Sequence, residues 1–69
     1  MNYLDHYHQK NYARAKDLAR GHTFASVFRF VMSRGYEQAA AWDLARWLKG
    51  EISLHELRCN SATRPLLFS

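Results

Sequence analysis

FASVFRFVMSRGYEQAAAWDLARWL, Phe24 to Leu48, is a charge-poor, aromatic-rich stretch in the middle of a 69-residue chain. Its apolar residues decide the fold. Phe24, Val27, Phe28, Val31 and Met32 recur at i, i+3, i+4, i+7 and i+8, the period of one helix face, while Ser26, Arg29 and Ser33 fall on the other side. Thr23 precedes this run with a side chain suited to an N-cap, and Gly35 follows it. A second face then appears in Tyr36, Ala40, Leu44, Trp47 and Leu48, with Glu37 in the first turn complementing the helix dipole and three consecutive alanines supplying helix propensity. The reading is a helix over 24–34, a turn at Gly35 and a helix over 36–49. Phe30 and Trp42 lie off both faces.

Working outward, Gly21, Gly35 and Gly50 are each preceded by a cation, Arg20, Arg34 and Lys49 respectively, a pattern that marks helix C-termini. Upstream, Leu4, Tyr7, His8, Tyr12, Ala15, Leu18 and Ala19 share one stripe, with Asp5, Gln9, Lys10, Arg14, Lys16, Asp17 and Arg20 outside it, which predicts one amphipathic helix over 3–20. Downstream, Ser53 and Glu56 form the S-x-x-E capping box, predicting a short helix over 54–59. Residues 60–69 hold the sole proline, Pro65, and read as an irregular tail. The predicted fold is all-α: one domain over 1–59, a small three-to-four-helix bundle.

A chain this short buries only about 60% of its unfolded surface, so its stability is marginal without a staple. A single cysteine, Cys59, excludes an intramolecular disulfide and suits a reducing compartment. Self-association, as a homodimer or larger, is the staple most open to it. No apolar run approaches the roughly 18 residues of a membrane span, and Met1 to Lys10 lacks the apolar core of a signal peptide. We therefore expect a complete, cytoplasmic polypeptide starting at its own Met1, with no membrane partner. The net charge of +4 is compatible with nucleic acid, an acidic protein or an anionic surface, because net charge biases encounter without naming the partner.

Catalytic and metal patterns are weak. His6 and His8 stand two apart, on opposed sides of a helix, and His55 with Cys59 have i, i+4 spacing but no third ligand in register. The same His55 and Cys59 are the sole nucleophile–base pair, and a bundle of this size offers little room for a pocket that excludes water. Asp5, Asp17, Glu37, Asp43, Glu51 and Glu56 do not cluster, and no glycine-rich phosphate loop is present. The expectation is a protein with no enzyme activity, metal or cofactor.

Binding residues are better marked. Phe30 and Trp42 are left over once the internal faces are assigned, as is Tyr3, and Trp, Tyr and Arg dominate interface energetics. With Arg29, Arg34 and Arg46 beside them, Phe30 and Trp42 form the predicted partner-binding set. The alternative is a nucleic-acid surface made of Arg14, Lys16, Arg20, Arg29 and Arg34, with His22 just beyond. Asp5 and Asp17 interleave with those cations, as on an ordinary solvated helix face. A helix-turn-helix with Glu37 to Lys49 as recognition helix is disfavoured, because that segment is rich in alanine and tryptophan and poor in base-reading side chains at its start.

The eight residues Gly35-Tyr36-Glu37-Gln38-Ala39-Ala40-Ala41-Trp42 resemble helices of tetratricopeptide repeats and of small ANR-type bacterial regulators. No further copy of the segment occurs in the chain, as a repeat protein would require. In size, charge and lack of catalytic signature the whole chain is similar to small helical accessory proteins of temperate phages and mobile elements. That resemblance implies a regulatory or adaptor protein that acts by binding host or phage regulators.

Overall fold

The computed structural model describes residues 3–59, which form five α-helices and no strand: α1 (Tyr3–His8), α2 (Tyr12–Arg20), α3 (Phe24–Ser33), α4 (Gln38–Leu48) and α5 (Leu54–Cys59). The predicted tail, 60–69, lies outside the described residues. The all-α class agrees with the sequence reading. No helix among the described residues is long and apolar enough to cross a membrane.

The predicted helix over 3–20 is in fact two. Lys10 adopts a left-handed φ of 62°, Lys10 N–H donates to Tyr7 O at 2.9 Å, and Asn11 N–H donates to His6 O at 2.8 Å. This pair of reversed bonds is a Schellman ending, normally built on glycine. Packing explains the break. Tyr7 and Tyr12, five residues apart, would point about 140° from one another on a continuous helix. Broken at Lys10, the chain brings both rings onto Trp47, at centroid distances of 5.5 and 5.6 Å, and to 5.8 Å from each other.

α4 is the hub, packed against α3, α2 and α5, while α1 packs on α2. Three neighbours require a helix that is apolar round most of its circumference, and Ala40, Ala41, Leu44, Ala45, Trp47 and Leu48 are all buried. The alanines let neighbouring backbones approach, and Leu44 and Trp47 fill the centre with Leu4, Val27, Val31 and Leu57. At the C-terminus of α4, Gly50 takes φ of 81° and Glu51 N–H donates to Arg46 O at 2.8 Å, a second Schellman ending. Gly35 is also left-handed, at 96°, whereas Gly21 is not, with φ of −79°. Lys49 reaches from this end of α4 to donate to the carbonyls of Arg20 and His22, tying α4 to the end of α2.

Two further details differ from the sequence reading. α4 begins at Gln38, not Tyr36, because Glu37 is extended and serves as N-cap, so Tyr36 stays in the turn and its hydroxyl meets Nε2 of His8 at 2.6 Å. Met32, assigned to the core face, is 39% exposed. The cap at Thr23 forms as read, with Ser26 N–H donating to Thr23 Oγ1 at 3.2 Å, and the serine half of the capping box forms at Ser53, with Glu56 N–H donating to Ser53 Oγ at 3.1 Å.

Candidate protein-binding patch

α3 and α4 are joined by the short turn 34–37 and lie against each other. Around α3, Val27 and Val31 face inward and are fully buried. Phe24, Phe28 and Met32 occupy the adjoining i, i+4, i+8 row, where α4 covers them incompletely. Trp42 stands on the outer side of α4 and folds back over this row, its indole 4.8 Å from the ring of Phe24 and 5.6 Å from that of Phe28, at interplanar angles of 71° and 76°. These are edge-to-face contacts, the geometry favoured by the aromatic quadrupole. Trp42 nonetheless remains 50% exposed. Phe24, Phe28, Met32 and Trp42 thus make one apolar strip open to solvent.

Beside Trp42 lies a shallow groove of about 600 Å³ lined by residues of α4 and its N-cap alone: Glu37, Gln38, Ala39, Trp42 and Asp43. Two carboxylates therefore flank one edge of the strip. Arg29 stands at the other edge, about 100° round α3 from Phe28 and exposed.

Of the predicted partner-binding set, Trp42 lies in this patch, Arg29 is exposed on α3 about 60° round the helix from Met32, and Arg46 is held 3.9 Å from Asp43, which lines the groove. Phe30 belongs elsewhere. Its ring packs on Tyr3 at 4.7 Å, against the opposite flank of α3, and Tyr3 is itself buried rather than left over. Arg34 goes with Phe30: it lies over that ring at 5.9 Å and 3.6 Å from Asp5. Phe24, Phe28 and Met32 were missed as surface residues because a helical wheel gives the angle of a side chain but not the width of its neighbour. The signal available was the breadth of the apolar arc on α3, wider than one packed helix covers.

The predicted nucleic-acid cations are mostly engaged within the chain. Arg20 pairs with Asp17 at 3.1 Å, Lys16 lies 5.9 Å over the Trp47 ring, and Arg34 is held as described. Lys16 and Arg20 do converge with Lys49, Leu48 and Gly50 on a small cleft of about 150 Å³. Arg14 and Arg29 are exposed, with no ion pair among the described residues. Burial of α4 on three sides leaves its free face to Gln38, Ala39, Trp42, Asp43 and Arg46, a poor surface for reading bases.

His55 Nε2 lies 3.7 Å from Cys59 Sγ, and both residues are exposed, with no third group to orient the imidazole among the described residues. No group of three or more His, Cys, Asp or Glu positioned to hold a metal occurs among the described residues. No family model, no curated protein and no solved structure matches this chain.

Proposed function

We propose that this protein is a small, non-enzymatic regulatory or adaptor module that acts by protein–protein interaction through the Phe24, Phe28, Met32 and Trp42 strip. One observation carries the reading: a tryptophan packed edge-to-face against two phenylalanines stays half open to water. An exposed, contiguous apolar patch on so small a domain, rimmed by charge, is the usual mark of an interaction surface. The likeness in type to phage and mobile-element accessory proteins points the same way, and we place the protein in the cytoplasm. The test is Trp42→Ala, which should leave the far-ultraviolet circular dichroism unchanged while abolishing assembly. Collapse of the helices would make Trp42 part of the core and overturn the reading.

The second reading, a small basic nucleic-acid-binding regulator, is favoured by the cleft lined by Lys16, Arg20 and Lys49. Phosphate contacts release counterions, so binding to a duplex or single strand would weaken steeply with salt. Binding that falls by about tenfold or more between 50 and 200 mM salt would promote this reading, and absence of binding at low ionic strength would remove it.

A further inference from the structure

The order of chemistry across the patch has a direction. Arg29 stands on α3 beyond Met32, the apolar strip comes next, and beside Trp42 on α4 lies the groove with the carboxylates of Glu37, which has no ion pair among the described residues, and Asp43, 3.9 Å from Arg46. A surface patterned in this way is complementary to itself. Rotation by 180° about an axis through the strip lays apolar on apolar and sets the cationic edge of each copy over the acidic groove of the other, the isologous arrangement of a two-fold dimer.

Building on the protein-binding reading, we propose that the occupant of the patch is a second copy of this chain. The dimer is two-fold, with the Phe24, Phe28, Met32 and Trp42 strips facing each other and Arg29 of each copy seated in the groove beside Trp42 of the other. The groove suits a guanidinium: Trp42 offers a half-exposed indole, Glu37 a carboxylate with no ion pair among the described residues, and Gln38 a carbonyl acceptor. Arg29, for its part, has no ion pair among the described residues. A foreign partner would need its own matching strip and charges. The second copy has them already, and dimerisation supplies the burial that a chain of this size lacks.

A charge-reversal cycle tests the assignment, using the full chain and sedimentation equilibrium to obtain the dimer dissociation constant. Arg29 and Glu37 are both exposed, and Glu37, the N-cap of α4, makes no side-chain cap hydrogen bond; far-ultraviolet circular dichroism of each variant separates a loss of helix from a loss of docking. Arg29→Glu and Glu37→Lys should each weaken dimerisation by about tenfold or more, through a repelling pair at each of two symmetric contacts. The double variant should return to within about threefold of the parent, because the pair is then reversed rather than broken. Losses that simply multiply in the double variant, or reversals without effect, would overturn the proposed docking. A parent chain that stays monomeric would overturn the second copy as occupant. The underlying patch reading fails by a different result, the collapse of the helices in Trp42→Ala.

Discussion

Lys10 sits where glycine belongs. A left-handed conformation costs a residue with a β-carbon about 1–2 kcal/mol, and Lys10 bears that cost at φ of 62° so that Tyr7 and Tyr12 can both reach Trp47. Lys10→Gly should therefore stabilise the protein by about 1 kcal/mol in urea denaturation. The reverse experiment uses Gly50: an added β-carbon meets no atom within 4 Å, so Gly50→Ala isolates the backbone penalty. A loss of about 1 kcal/mol is expected, and no loss would show that the left-handed ending does not matter. Tyr7 gives a second residue-scale test. Its hydroxyl is buried and has no hydrogen-bond partner among the described residues, and burial pushes its ionisation well above the ordinary 10, with the neighbouring Tyr36 and Tyr12 adding to the shift. Burial also raises Tyr3 and Tyr36. In the folded state these phenols hold their protons longer than in the unfolded chain, so stability is intact below pH 10 and declines as pH rises beyond it. Tyr7→Phe removes both the orphan hydroxyl and its share of that decline. The variant should gain about 1 kcal/mol near neutrality and lose less stability between pH 10 and 12.

At the scale of elements, the two tryptophans of α4 have opposite roles although they stand five residues apart. Trp47 is 1% exposed and is met by Tyr7 and Tyr12, so Trp47→Ala should cost about 3–5 kcal/mol. Trp42 covers part of two phenylalanines from outside, and Trp42→Ala should cost about 1 kcal/mol, the order of an exposed aromatic pair. Equal losses in thermal or urea unfolding would contradict this division. The sequence made these helices readable from Thr23 onward, since the apolar period, the caps at Thr23 and Ser53 and the glycine endings at Gly35 and Gly50 agree with one another. It hid the break at Lys10, because the stripe from Leu4 to Ala19, about 140° wide with Tyr7 and Tyr12 at its two edges, still reads as one amphipathic face, and no glycine or proline marks the joint. Trp42 was legible as a surface residue from its wheel position. Its companions were not: Phe24, Phe28 and Met32 share the stripe of Val27 and Val31, and only the placement of α4 decides which members of that stripe are covered. Phe30 was misplaced for the converse reason, since Tyr3, which covers it, comes from the far end of the chain.

For the whole molecule, one helix organises the packing and one face is left unfinished. α4 joins α2, α3 and α5 into a single core, with Lys49 clamping the carbonyl end of α2, while the ion pairs Arg20–Asp17, Arg34–Asp5 and Arg46–Asp43 are of small energetic consequence. The unfinished face is the strip on α3 and α4, where an apolar surface lies between a cation and a pair of carboxylates. Self-association through that strip is the central claim, and molar mass in solution tests it most directly. Sedimentation equilibrium of the parent chain and of Trp42→Ala, at matched concentrations up to about 100 µM, the upper micromolar range of weak association, should give twice the 8.1 kDa chain mass for the parent and a single chain mass for the variant. A parent of single-chain mass throughout, or a Trp42→Ala variant as dimeric as the parent, would contradict it.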